Sequence, residues 1–384
     1  MNPIGPLTAA DELFTHQIID TFATVGTSDP AWTEKVCAMA MARDGSLQIG
    51  FGLGKYTNRN VVDGYAALSR GPEQRTVRAS RRLAADPEVV SVGPIHYEVI
   101  EPMRAVRFRL EENECQPLAF DWTFEAVVPA QLEERTHLRD QYRTSAELVR
   151  YHQIGVASGW IQLDGDRIEI TPENWVSTRD HSWGVRYDVG PPPPDHAGET
   201  AFPAGVGFQM VWCPALMERP DGSQYALHLH FTLVRMPGFE QKTVTAGVEH
   251  PDGSREPIVD LTPDLRFDPT NRRLLGGRLA GVMGDGSERP ITIEVLRDTG
   301  VQLGAGLYFG LDGHHHGEWR GELLVEGEHI ADCRPADVAR RLHQIRDTAV
   351  RVIDPVGGGI GWGNCQPIAA GPWPELGLAD DPWM

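Results

Sequence analysis

Cationic residues are in short supply: 35 Lys and Arg stand against 54 Asp and Glu, a formal charge of −19. That balance speaks against a nucleic-acid partner and against attraction to an anionic membrane, since both need cationic patches. Long apolar runs are missing too. None approaches the roughly 18 residues of a membrane-spanning helix, so no membrane insertion is expected. The opening residues, MNPIGPLTAADELFTHQII, lack a basic stretch followed by an apolar core, and a cytoplasmic location is expected. Five cysteines (Cys37, Cys115, Cys213, Cys333, Cys365) lie far apart without CxxC spacing, which suits reduced thiols better than a disulfide framework. No G-x-G-x-x-G opens a helix, no G-x-S-x-G elbow occurs, and no repeat of fixed period emerges. Nucleotide-binding folds, serine hydrolases and solenoids therefore find no support, and no cofactor is implied.

Glycine and proline, by contrast, are plentiful at 41 and 29 residues. Asp-Gly pairs recur at 44, 164, 221, 252, 285 and 312, between alternating segments such as YALHLHFTLV, PITIEVL and AVRFRL. Asp-Gly between alternating runs is a strong hairpin signal, because type I′ turns require positive φ. The pattern predicts an all-β protein: two antiparallel β-barrels or sandwiches with a few peripheral helices. Helical spacing is confined to 9–23, 130–150 and 335–352. The middle stretch, AQLEERTHLRDQYRTSAELVR, divides two β-rich halves. The expected organisation is a helical segment over 1–23, a β-domain with its connecting helix over 24–152, a second β-domain over 153–332, and a helix and tail over 333–384. The glycine-rich GFGLGKY at 50–56 lacks P-loop spacing and reads as a glycine-kinked strand.

Chemistry concentrates in STRDHSWGVR, residues 177–186. On a strand Arg179, His181 and Trp183 share one face while Asp180, Ser182 and Arg186 share the other, so Asp180 and His181 cannot form a direct dyad unless a bulge intervenes. Inside a barrel lumen a carboxyl is pushed toward its neutral form and becomes a proton donor, and an indole stabilises a developing cation. Asp180 and His181 are the catalytic candidates. Trp175, Trp183, Arg179, Arg186, His228, His230 and Tyr97 are the candidates for binding substrate. The plain structural alternative is an Asp180–Arg186 ion pair with Trp183 in the core.

The stretch resembles the D-H-x-W-G signature of the AttH/CrtC-like superfamily, which includes carotenoid 1,2-hydratases, kievitone hydratase-like proteins and related pericyclases. The matching positions are Asp180, His181, Trp183 and Gly184. The resemblance implies two lipocalin-like β-domains and cofactor-independent chemistry on a hydrophobic small molecule. Arg179 departs from the aromatic or small residue expected before the acid; a cation meeting Asp180 would lower its pKa.

Elsewhere, Gly222, His228 and His230 copy the opening of a cupin metal motif, but Val234 and Arg235 stand where its glutamate belongs, so no metal is assigned. The run HHH at 314–316 follows Asp-Gly and reads as a solvated hairpin tip, with Glu318 paired to Arg320. The reading that follows is a hydratase, dehydratase or isomerase acting on an isoprenoid, polyketide or steroid-like molecule by acid–base catalysis in the second barrel. A non-catalytic carrier of an apolar ligand and a metal-dependent oxygenase using His228 and His230 are the alternatives. A homodimer is compatible with either of the first two.

Overall fold

The computed structural model describes residues 6–13, 16–191, 193, 197 and 205–378. It is all-β. The first sheet has fourteen strands and the second closes into an eight-stranded barrel. The strands of the first sheet lie within Trp32–Val185, apart from Leu323–Ile330, which pairs with Glu73–Arg82 at one edge. The sheet curls until Val92 and Ile95, from its far edge, pack beside Gly64. Its concave side holds one apolar core that includes Phe51, Phe108, Phe120, Trp122, Phe124 and Trp175.

The barrel runs as an antiparallel meander from Gly207–Glu218 to Gly359–Ala370, and these two strands pair to close it. Alternation decides its interior. On Gln224–Met236, Tyr225, Leu227, Leu229, Phe231 and Leu233 point into the apolar core, which Val350, Val352 and Trp373 complete. The lumen is filled by side chains. His228 and His230 therefore face outward, and His228 is fully buried because the first sheet covers that side.

The six Asp-Gly pairs named above mark turns, though not of one kind, whereas Asp63-Gly64 lies within the strand Val61–Arg70. Asp164 and Gly165 both take positive φ, the type I′ geometry. At Asp221, Asp252 and Asp285 only the glycine does, and the aspartate side chain instead accepts the Ser223, Ser254 or Ser287 amide. That is a type I turn closed by a left-handed glycine.

The helical expectations give way. Residues 131–132 and 136–140 are strands, and a 21-residue strand spans Arg143–Leu163. Leu132 and Leu138, the apolar stripe of the supposed helix, are exposed. The charges pair across strands instead, Arg150 with Glu133, so tertiary pairing overrides helical spacing. Only Ala9–Glu12 of 9–23 is helical, as a 3-10 turn capped by Thr8, and residues 14 and 15 lie outside the described residues. Only Ala336–Arg341 of 335–352 is an α-helix; His343 at φ 60° ends it, and Arg346–Asp354 is a barrel strand. The tail begins as the strand Gly359–Ala370, with Trp373 buried behind it.

These changes move the division of the chain. Arg143–Leu163 runs straight through 152/153, and the signature strand Trp175–Val185 lies between it and Trp32–Ala42. The change of sheet falls between Val185 and Gly207. The signature strand therefore belongs to the first sheet, not to the second barrel.

Candidate functional site

Register places the chemistry. Cys37 and His152 flank Asp180, and Lys35 and Arg150 flank Ser182, with no bulge along the strand. The expected separation of Asp180 from His181 holds. Thr178, Asp180 and Ser182 face the second barrel: Thr178 Oγ1 bonds Asn364, and Asp347 bonds Asn364 Nδ2 at 2.8 Å. Trp175, Arg179, His181 and Trp183 face the concave side of the first sheet.

The two faces have different characters. On the concave side Trp175 is core. Arg179 is 2% exposed, lies over the rings of Phe124 and Tyr151, and donates to Gln153. Tyr97 joins this group through Arg179. His181 bridges Glu34 Oε1 at 3.0 Å and Tyr151 OH at 3.2 Å, with Trp183 edge-on to it. Arg179 thus never meets Asp180, and its position before the acid does not lower the acid's pKa.

The other face is a buried polar layer between the two β-units. Asp180 sits half-buried near its middle and makes no side-chain hydrogen bond among the described residues. Burial raises its pKa, Arg150 pulls it down, and Glu133 pushes it up again. Arg186, which donates to Ser182 Oγ, and Lys35 are further cations acting on it. Burial takes the Asp347 carboxyl up to about 7 against the Asn364 hydrogen bond, with Asp180 adding to the rise. The expected oily lumen is corrected: Asp180 faces neither barrel interior, and its surroundings are polar.

Toward one end Lys35 Nζ lies 2.8 Å from His316 Nε2 and over the Tyr308 ring. Burial drives the Lys35 ammonium down to about 7, with Asp63 opposing the shift. Asp63 accepts from Tyr56 OH at 3.0 Å and from the Gly317 amide at 2.7 Å. His316 is buried, which overturns the solvated hairpin tip; Glu318 pairs with His314, and Arg320 with Glu326 rather than with each other.

The glycine-rich strand explains how this layer closes. Gly50, Gly52 and Gly54 lie on it, all in ordinary extended backbone. A Cβ on Gly52 would sit 2.2 Å from Tyr65 Cε1, and one on Gly54 2.8 Å from the Tyr56 hydroxyl. The glycines are clearance for tyrosine rings, not kinks.

Toward the other end Glu133, His152, His228 and Glu249 are all buried. His152 and His228 stack with centroids 3.6 Å apart, and Trp212 Nε1 donates to Glu133 Oε1 at 3.0 Å. Of the layer's groups, the sequence singled out Asp180, Arg186, His228 and His230. It missed Lys35, Asp63, Glu133, Arg150, His152, Glu249 and Asp347, which only the pairing of distant strands brings together, and it read His316 as part of a solvated tip. A groove of about 330 Å³ lined by Arg107, Asp121, Thr123 and Trp160 lies elsewhere, on the first sheet.

No curated protein matches the sequence. Among solved structures, an AttH-type protein from Nitrosomonas europaea superposes with a TM-score of 0.45 at 14% identity, covering 88% of this chain and 91% of that one. Kievitone hydratase from Nectria haematococca gives 0.40 at 10% identity over 90% and 92% of the two chains. CghA, in a crystal structure with Sch210972, gives 0.43 at 12% identity over 88% of each. The profile of a family of unknown function, DUF8625, matches residues 7–378, and the chain belongs to that family.

Proposed function

We propose that the protein is a lyase or isomerase that works by acid–base chemistry in the layer between its two β-units, with Asp180 as proton donor. One observation carries the reading. A half-buried carboxyl, raised by burial, accepts no hydrogen bond from any described residue although Lys35, Arg150 and Arg186 act on it. The carboxylate oxygens are not sealed from solvent, and a raised carboxyl that is reachable yet held by no protein donor is what a reacting substrate would engage.

The roles follow from position. Asp180 delivers a proton to the substrate, general acid catalysis worth about 10²–10⁴-fold. Lys35, Arg150 and Arg186 hold the oxygen on which negative charge develops. Asp347, near neutrality in its pKa, and Tyr308 complete the surroundings. His230 stands at the half-buried margin of the same layer. Two guanidiniums and an amine suit an unsaturated molecule bearing oxygen, an enone or its hydrate, better than a bare hydrocarbon. Arg179, His181, Trp183 and Tyr97 lie across the sheet and take no direct part.

The test needs no known substrate. The protein is incubated in deuterated water with a panel of isoprenoid, polyketide and steroid enones, and the products are read by mass spectrometry. Wild type should incorporate deuterium into at least one of these, and Asp180→Asn should not, while its melting temperature stays level or rises. Binding without isotope uptake would identify a carrier and refute the catalytic reading, as would an Asp180→Asn variant that keeps full exchange.

A further inference from the structure

The cluster at the Glu133 end of the layer is not used by the chemistry above, and its geometry is that of a ligand set. His152 Nδ1 lies 3.3 Å from Glu133 Oε1, and His228 Nε2 lies 3.4 Å from the same oxygen. Two donors each about 2.1 Å from one tetrahedral ion stand about 3.4 Å apart. The three ligand atoms lie within 4.8 Å of one another, and all three residues are buried.

A second observation points the same way. His228 has no solvent exposure, and neither of its ring nitrogens has a hydrogen-bond partner; His152 Nδ1 has none either. An imidazole stripped of water and of hydrogen bonds is costly unless something binds it. The other nitrogen of His152, by contrast, is held: Nε2 lies 2.8 Å from Glu249 Oε1. A carboxylate behind a histidine fixes its tautomer, leaving the Nδ1 lone pair aimed forward, which is how metal-bound histidines are oriented. Glu133 is anchored in turn by Trp212 and Arg150. The stacking of the two rings brings the free nitrogens to one carboxylate oxygen.

We propose that Glu133, His152 and His228 bind one divalent ion of the zinc class, with solvent as a further ligand and Glu249 as the orienting carboxylate. Two nitrogens and one oxygen are the donor types zinc takes in three-ligand sites. Glu133 and His152 come from the first sheet and His228 from the barrel, so the ion clamps the two β-units together. The inference is independent of the role given to Asp180.

The experiment uses the full chain. Protein stripped with a chelator is titrated with Zn²⁺ against a chromophoric competitor and then with Co²⁺, whose visible spectrum reports a tetrahedral site. One equivalent should bind per chain and raise the thermal midpoint. His228→Asn should abolish binding, and Glu249→Gln should weaken it about 10–100-fold with an unchanged circular dichroism spectrum. His314→Asn, at the surface histidine run, should bind like wild type. Absence of stoichiometric binding to wild type overturns the proposal. So does binding that survives His228→Asn but is lost in His314→Asn. Should His228→Asn fail to fold, the wild-type titration and Glu249→Gln still decide. Deuterium exchange at Asp180 is a separate readout, so either proposal can fail alone.

Discussion

Lys35 gives the sharpest test of the buried layer. Its side chain is 3% exposed, faces His316 and Tyr308, and shares its surroundings with the charges of Asp63, Arg186 and Asp180. Burial lowers its pKa from 10.5 to about 7. Between those values the unfolded chain holds the proton and the folded protein has released it, so the unfolded state binds more protons. Stability then rises with pH across that window. Each pKa unit is worth about 1.4 kcal/mol, and between pH 7 and pH 9 the wild type should gain about 2 kcal/mol from this group. Lys35→Met fills similar volume without a titrating amine and should lose that gain. Urea denaturation followed by tryptophan fluorescence at pH 7, 8 and 9 measures both proteins. Only the difference between the curves counts, because the remaining groups titrate in both. Curves that run parallel from pH 7 to 9 would refute the argument, since they would mean the ammonium is as well solvated folded as unfolded.

Asp347 predicts the opposite slope at lower pH. Its carboxyl is raised to about 7, so the folded protein keeps a proton that the unfolded chain gives up, and stability falls as pH climbs from about 4 to 7. Asp347→Asn should remove about 2–4 kcal/mol of that fall, read from thermal midpoints across the range. Gly52→Ala should destabilise by about 1–3 kcal/mol through overlap with the buried Tyr65 ring. Tyr65→Leu in the same chain should recover part of that loss in a double-mutant cycle. Arg289→Met removes the guanidinium that pairs with the fully buried Asp354, leaving it the Tyr225 hydroxyl and the Gly357 amide among the described residues. It should cost about 3–5 kcal/mol by chemical denaturation.

Alternation along single strands was legible and reliable. It separated Asp180 from His181, put Leu227, Leu229 and Phe231 on one side of their strand, and set His228 and His230 on the other. What alternation cannot say is what covers the polar side. In a lone sheet that side meets water; here it meets a second sheet. His228 looks like a lumen group in sequence, yet the lumen is apolar and the histidine is sealed outside it. The same blindness hid His152 and also Glu133, the latter read as part of a helix because Leu132 and Leu138 happen to recur at helical spacing. Their pairing with Arg150, Glu249 and His228 spans up to about a hundred residues of chain, and no local pattern encodes it. The motif at 180–184 drew attention to one strand, but that strand was assigned to the wrong β-unit, because the dividing point was set by that false helix.

The composition of this layer is itself an argument about why it exists. Two β-units that needed only to adhere would do so best through apolar faces, since replacing buried ion networks by well-packed hydrophobic residues is often neutral or stabilising. Here the contact has been kept polar from Tyr56 and Asp63 at one end to Glu249 at the other. Gly52 and Gly54 give up side-chain packing to let tyrosines lie within it. Apolar contact does occur, between Met41, Val128, Ile154 and Val176 on one side and Leu216, Ala226 and Ala349 on the other. A second apolar patch joins Cys37 and Met39 to Val301, Leu303 and Ile345. Adhesion through those patches does not call for the charged remainder, and within it the sealed, unpartnered His228 ring marks where a bound group would complete the layer.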